Sequence, residues 1–388
     1  MKIAIDCRSL RKKPVGVPNF LLSVINTLSI ERKDWTIYLL SNEDFNHEVK
    51  ARLIHPDNVI SMVSSPWPFN RIAILWYVLK LPFLIRILQP DIFYSPIPNL
   101  PPWLPKKVRT FITIHDMVYK HLPKTMSATN WWINFFLHDR SIRQADLLWA
   151  VSEYTKREIN FFFPSRRSDS ILVGSSVDKS VFHPTIVPKE KKEQLLARYD
   201  LQEKFILFVG TQEPRKNISF LISLAPALVQ HGYSLLIVGT QGWGNEPLQP
   251  ENSVGESAHI RFSGFIPNEE LAQLYRLAAV YVSTALNEGF GLPQLEAMCC
   301  GCPVVSPHNS AMIEVVEGAG ETVQGWNVEE WIAVILQVAT NREYYASRGF
   351  ERAKIYNWES VISKMTKYVD SNFRIEPELP KTRATPNP

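Results

Sequence analysis

Along most of this chain, short apolar runs rich in Ile, Val, Leu and Phe alternate with longer stretches whose apolar residues recur at helical spacing. That alternation predicts repeated strand and helix units around a parallel sheet, because parallel strands are covered on both faces and read as unbroken apolar runs. In the first half the predicted strands are KIAID, WTIYLLS, NVISMVS, DIFYSP, RTFITIH, LLWAVS and SILVGS. After His183 and Pro184 the polar stretch PTIVPKEKKEQ reads as a linker or as the first helix of a new domain. The same grammar then restarts with FILFVG, a helix from about Ile218 to Gln230, SLLIVG, HIRFSGF, the helix NEELAQLYRLA, VYVSTA and PVVSP, and it ends in a run of helices.

The pattern therefore predicts an α/β protein of two doubly wound domains, at residues 1–184 and 185–355, with a last helix at 356–373. A tail rich in Pro and charge, residues 374–388, is expected to be disordered. Sheets of this kind bind ligands beyond the carboxyl ends of their strands, so two facing domains would make a cleft from those ends. The 388 residues suffice for two cores, and 45% hydrophobic against 21% charged residues excludes a disordered chain.

Charge refines this picture. Residues 1–183 carry 24 Lys and Arg against 15 Asp and Glu, whereas the remainder carries 18 against 23. A basic first half can face nucleic acid, anionic lipid or a phosphorylated substrate. Scattered basic residues without a reading motif argue against nucleic acid. Cys7, Cys299, Cys300 and Cys302 offer no second metal-binding element and read as small buried residues in a reducing compartment. The start, MKIAIDCRSL, lacks a signal-peptide pattern, and Lys80, Pro82 and Arg86 interrupt the lipophilic run 71–88, so a cytoplasmic protein without a transmembrane helix is expected.

The candidate chemistry centres on ALNEGFGLPQLEAMCCGCPVV, residues 285–305, where seven residues separate Glu288 from Glu296. A strand, a Gly-Phe-Gly turn and a helix opening with Pro293 make an anion site, because glycines let backbone N–H groups approach a phosphate at the helix N-terminus. Earlier, a strand ending in Gly210 is followed by Arg215, Lys216 and Asn217 at a helix start, two cations able to hold a diphosphate without a metal. Neither domain shows the GxGxxG turn of a dinucleotide-binding dehydrogenase, which argues against hydride transfer.

These residues in this order, PRKN, then Glu288 and Glu296, then GCPVV, resemble the retaining glycosyltransferases of family 4, with their GT-B fold. The resemblance runs over about residues 1–370 and is most specific between 205 and 320. In the first half VGVPNF is similar to the family's loop after strand one, and TIHDMVYKHLP resembles the segment of its mannosyltransferase-like branch that contains His-Asp. The resemblance implies two Rossmann-like domains across a deep cleft, with the C-terminal helix crossing back to the first domain. It implies that Glu288 bonds the donor sugar, Glu296 the ribose, and that Arg215 and Lys216 neutralise the leaving diphosphate. Backbone groups of Gly289, Phe290, Gly291 and Leu292 would cradle phosphate, with Gly210 beside them and Gly16 letting the first domain's loop close. His115 would face the donor sugar, and Phe265 and Ile266 would line the base. Asp116 reads as structural, and Glu314 as either a site residue or a cap for the following turn. Pro18 and Asn19 stand where a polar or basic pair is more usual, and Ser175 and Ser176 replace Asn-Gly, so any left-handed turn there must form without glycine.

The expected reaction is therefore metal-independent hexosyl transfer without a cofactor, with mannose from GDP-mannose as the leading donor, to a glycan or lipid-diphosphate-linked acceptor. A UDP-sugar donor, a sugar-nucleotide epimerase of the same fold and a non-catalytic nucleotide-sugar- or glycan-binding scaffold are the alternatives. Ile72, Leu75, Trp76, Leu79, Phe83 and Ile87 form a near-helical stripe with Arg71, Lys80 and Arg86 at its margins, and NWWINFFLHDRSIRQ adds aromatics followed by basic residues. Core packing and peripheral contact with an anionic membrane both account for it.

Overall fold

The computed structural model describes residues 1–63, 67–125, 131–132, 134–168, 171–242 and 259–373. The expected disordered tail, Asn130 and Ile133 lie outside the described residues. Two parallel sheets form. The first contains β1 (Lys2–Asp6), β2 (Thr36–Ser41), β3 (Val59–Val63), β4 (Ile92–Ser95), β5 (Arg109–Ile114), β6 (Leu147–Ala150) and β7 (Ile171–Val173), in the order β3-β2-β1-β4-β5-β6-β7. The second contains β8 (Phe205–Val209), β9 (Ser234–Val238), β10 (Ile260–Gly264), β11 (Val280–Val282), β12 (Val304–Pro307) and β13 (Glu321–Val323), in the order β10-β9-β8-β11-β12-β13.

In each sheet the winding reverses once, between β1 and β4 and between β8 and β11. Beyond the carboxyl ends of strands at such a reversal, the connecting loops diverge and leave a crevice. The pairs that fix the reversals are parallel and in simple register, Ile3 with Ile92 and Ile206 with Val280. The buried positions of these strands are mostly apolar on both faces, with Tyr94 and Tyr281 among them, as the unbroken apolar runs predicted.

Two elements differ from expectation. The helix expected over 218–230 forms as Ile218–Ser223 and Ala225–Gln230, because Pro226 has no N–H to donate and its ring crowds the preceding turn. β13 was not expected; its three residues, ETV, are too few to show a period and are recruited by pairing with β12, Val305 to Glu321.

The last helix, Trp358–Asn372, leaves the second sheet's layer and packs on the helix Val17–Glu31 of the first. Asn357 caps it through the Ser360 N–H, and Arg32 pairs with Asp370 at 2.7 Å. Phe20 lies at the centre of this junction, edge-on to Trp358 at 5.1 Å and to Trp149 at 5.3 Å. One apolar cluster thus runs from Ile3 and Ile5 through Phe20 to Phe290, Leu295 and Ile362. All four cysteines are unpaired and buried. Neither Ser175 nor Ser176 adopts a positive φ, so the left-handed turn of that position is absent.

The lipophilic run is a helical stretch over residues 73–88 with a wide π turn at Trp76–Lys80, just before Pro82, where the ring disturbs the ladder. It is apolar on both sides: Trp76, Tyr77, Leu81 and Ile85 are core, while Ile74, Leu79, Phe83 and Ile87 are exposed. Among the described residues no helix is long and apolar enough to cross a membrane.

Truncating the junction tests its weight. Trp358→Ala removes a buried indole that is 7% exposed, and about 3 kcal/mol of stability should be lost, read as a lower urea midpoint of the full chain.

Candidate active site

The two cations are placed by backbone rather than by their own length. After β8 the chain makes a tight turn, Pro214–Lys216, and Asn217, at φ 51°, starts the next helix. The loop after β11 is stitched to that turn: Leu286 N–H donates to the Arg215 carbonyl at 2.7 Å and Thr284 Oγ1 to the Lys216 carbonyl at 2.9 Å. Glu288 follows directly. Its Oε2 accepts from Arg215 Nη1 at 3.2 Å and its Oε1 from Lys216 Nζ. Arg215 Nε also pairs with Glu213 at 2.9 Å, a contact that the sequence reading missed. The acid assigned to the sugar and the cations assigned to the diphosphate are thus one ion cluster.

Burial alone would raise the Glu288 carboxyl, but Lys216 and Arg215 more than offset it and hold the group below the usual carboxylate range. Burial likewise opposes charge on Arg215, and the carboxylates of Glu288, Asp116 and Glu213 raise its pKa nevertheless. Glu288 and Arg215 are therefore both held in their charged forms at neutral pH.

Gly289 carries the chain against the first domain. A Cβ built on it would lie 1.6 Å from the His115 carbonyl oxygen, so no larger residue fits without moving the backbones apart. On the other side, Ser152 Oγ donates to the Gly289 carbonyl at 2.5 Å and Thr155 Oγ1 does so at 2.9 Å. His115 Nε2 lies 2.8 Å from the Pro96 carbonyl and must be the donor there. Burial pushes its pKa down, so the ring is neutral and Nδ1 keeps a lone pair. Gly291, at φ 104°, then turns the chain into the helix Leu292–Cys299.

Glu296 lies on that helix and accepts from Tyr275 Oη at 3.0 Å. Burial pushes its pKa up to about 7, with the tyrosine bond only partly opposing. Phe265 and Ile266 follow β10, and Lys13, from the loop after β1, sits over the Phe265 ring at 4.6 Å.

Glu314 is a cap, but of a first-domain helix rather than of the turn that follows it. Its carboxylate accepts the Glu153 and Tyr154 backbone N–H groups at 3.1 and 3.0 Å, which caps the first-domain helix Glu153–Phe162. Asn287 Nδ2 donates to Tyr154 Oη beside it at 2.8 Å. Nothing in the sequence marks these contacts, since each joins residues more than a hundred positions apart.

Every residue assigned from the sequence lines one cavity of about 340 Å³ between the sheets: Gly16, His115, Gly210, Arg215, Lys216, Phe265, Ile266, Glu288, Gly289, Phe290, Gly291, Leu292 and Glu296. Asn19 and Asp116 line it too. A larger cavity of about 520 Å³, between the 17–31 helix and residues 176–181, holds the Arg52–Asp178 pair and none of the assigned residues. Among the described residues no group of three His, Cys, Asp or Glu is arranged to hold a metal.

Comparison with known proteins matches this architecture. The profile of "Glycosyltransferase Family 4" covers residues 16–180 and that of "Glycosyl transferases group 1" covers residues 190–352. The chain belongs to this glycosyltransferase family. It is 29% identical over 392 residues to the O-antigen chain mannosyltransferase B of Escherichia coli, spanning 94% of this chain and 98% of that one. Among solved structures it resembles Anabaena Alr3699/HepE in complex with UDP-glucose, with a TM-score of 0.69 at 18% identity over 96% of this chain and all of the other. It also resembles WaaG, a glycosyltransferase involved in lipopolysaccharide biosynthesis, with a TM-score of 0.65 at 14% identity over 95% and 99% of the two chains. These likenesses fix the fold as GT-B and the protein as a glycosyltransferase.

The perturbed Glu296 makes a pH prediction for the unliganded protein. Its folded pKa, about 7, lies above the ordinary glutamate value of 4.5, so its contribution to stability is full below the lower value and lost as pH rises through 7. Glu296→Gln, which mimics the protonated acid, should melt like the parent at pH 5 and at a higher temperature at pH 8.

Proposed function

We propose that the protein is a retaining, metal-independent glycosyltransferase that moves mannose from GDP-mannose to a glycan or lipid-linked saccharide in cell-surface polysaccharide synthesis. The observation that carries this reading is the ion cluster of Glu288 with Arg215 and Lys216 in the cleft between the two sheet reversals. The mannosyl donor rests on the Escherichia coli relative, which matches nearly the whole chain.

The geometry accounts for the steps. The donor's diphosphate engages Arg215 and Lys216 and the backbone N–H groups that open the Leu292–Cys299 helix. A dianion competes with Glu288 for the two cations, so donor binding releases the carboxylate to accept hydroxyls of the sugar. Glu296 accepts the ribose hydroxyls, and neutral His115 faces the sugar from the first domain. As the bond from the anomeric carbon to phosphate oxygen breaks, negative charge grows on the phosphate, where the two cations already stand. The acceptor hydroxyl attacks from the same face, and its proton passes to the departing phosphate oxygen. Glu288 and Glu296 are held by different partners, cations and a tyrosine, and do not bracket one bond as the acid pair of a glycosidase does.

The outward side of the 73–88 helix supports a second part of the proposal, that the protein works on the inner face of the cytoplasmic membrane. Ile72, Ile74, Leu79, Phe83 and Ile87 are all exposed along it. Arg71 and Arg86 are exposed among them. An apolar face edged by cations fits an anionic bilayer.

Arg215→Ala and Glu288→Ala should each lower transfer from GDP-mannose by about 10²–10³-fold, the range for removing one preorganised charge at the reacting centre. A chelator should leave the parent's rate unchanged, and the product should keep the donor's anomeric configuration by NMR. In a thermal-shift panel GDP-mannose should stabilise more than UDP-glucose; the reverse order would replace the donor assignment, and full activity of either variant would sink the mechanism.

For the membrane part, the full chain should co-sediment with phosphatidylglycerol vesicles at low salt and not with phosphatidylcholine vesicles. The double substitution Phe83→Glu with Ile87→Glu should abolish this, and no sedimentation of the parent would end the idea.

A further inference from the structure

The roles above leave the acceptor's half of the cleft unassigned. Three acids line the cavity: Glu288, Glu296 and Asp116. Glu288 is held by two cations and Glu296 by the Tyr275 hydroxyl. Asp116 is held by a single backbone group, the Val118 N–H, which donates to Oδ1 at 3.1 Å. Among the described residues no side chain bonds its other oxygen and no cation pairs with it.

The position of this carboxylate is fixed tightly. It follows β5 and His115, and its Cα lies 3.0 Å from where a Gly289 Cβ would be, so the Gly289 contact pins it beside Glu288. It belongs to the first domain and faces the cations across the gap. Their nearer bonds go to Glu288 and Glu213, so Asp116 is a surplus negative charge in a cleft that holds a diphosphate. For donor binding alone that charge is a cost. A half-buried carboxylate with one open oxygen is a strong acceptor for a hydroxyl group, through a charge-assisted bond. It also repels a phosphate or a carboxylate brought to the same place.

We propose that Asp116 is an acceptor-binding residue: its open carboxylate oxygen takes a hydroxyl of the acceptor's terminal sugar and restricts the reacting end to a neutral saccharide. This rests on the reading of the cleft as a sugar-transfer site. Any phosphate on a lipid-linked acceptor must then lie away from the reacting centre, with at least one sugar between them. Asp116 so has a binding role in addition to the structural one of holding Val118.

The test compares the full-length parent with Asp116→Asn, which keeps an Oδ1 for the Val118 N–H and removes the charge, and with Asp116→Ser. The probes are octyl α-mannoside as neutral acceptor, mannose 6-phosphate as anionic acceptor, GDP for donor-site affinity, and acceptor-free hydrolysis of GDP-mannose. Asp116→Asn should raise the KM for octyl mannoside by about tenfold or more, the worth of one charge-assisted bond, and should narrow the parent's preference for it over mannose 6-phosphate. GDP affinity should stay equal or become tighter, and hydrolysis should stay within about twofold, since the bound diphosphate loses a repulsive neighbour. An unchanged KM, or GDP affinity that weakens in step with it, overturns the proposal, the second result showing that Asp116 acts through Arg215. A parent inactive with GDP-mannose but active with another nucleotide sugar refutes the donor assignment alone, and the same comparison on that donor decides Asp116. A parent that turns over no nucleotide sugar overturns both.

Discussion

The site depends on one close approach, the Gly289 backbone against the His115 carbonyl, at a separation that leaves no room for a Cβ. Because this contact joins the two sheets, it sets how far the carboxyl ends of β5 and β11 stand apart. Glu288 immediately precedes it and Asp116 immediately follows His115, so both acids inherit their positions from a backbone contact. Hydrogen bonds brace it from the first domain through Ser152 and Thr155, and Glu314 reaches back to cap the same helix. Side chains are placed best where rigid elements hold them, and here the helix end, the strand end and the glycine turn share one seam.

The seam also controls the electrostatics. Glu288 and Lys216 are largely buried, at 14% and 9% side-chain exposure, so their charges interact through a medium far less polar than water. Each would be costly to bury without a partner, and the pair offsets most of that cost without fixing either group permanently. An ion pair of this sort is exchangeable: a diphosphate can take the carboxylate's place, since both present anionic oxygens to the same donors. Under the proposed reaction the cluster would already be arranged for the charge that develops on the leaving group, and little reorganisation would remain for the reaction itself.

How much of this was legible follows from how local each feature is. Among the described residues twelve of the thirteen strands lie in the predicted runs, because burial on both faces writes itself as consecutive apolar residues; β13 escaped at three residues. That the residues assigned to the donor would line one cavity was legible down to single residues, since Glu288, the glycine turn and Glu296 are consecutive on one strand, loop and helix, and Arg215 and Lys216 follow the neighbouring strand. What could not be read is what depends on two distant segments meeting. The pairing of Glu288 with both cations, the Glu213 contact, the Glu314 cap and the fit of Gly289 against His115 are products of packing. The stripe at residues 72–87 was ambiguous between core and surface because it is both: Trp76 and Ile85 go inward, Phe83 and Ile87 outward. One-dimensional periodicity cannot divide a helix that is apolar all round.

The distribution of charge then acquires a reason. The cations nearest the proposed diphosphate position, Arg215 and Lys216, come from the second half of the chain, which is net acidic, whereas the excess of Lys and Arg lies in the first. If basic charge served only to draw in a nucleotide sugar, it would be concentrated around the second sheet. Several first-half cations are instead spent on structural pairs, Arg8 with Asp6, Arg32 with Asp370 and Lys120 with Asp139. Arg71 and Arg86 stand exposed beside the apolar face of the 73–88 helix. A field of that sign acts on large anionic partners over about a Debye length and is screened by salt. Short-range neutralisation of one leaving group and longer-range attraction to an anionic surface make different demands, and the proposed function would have them met by cations on different domains.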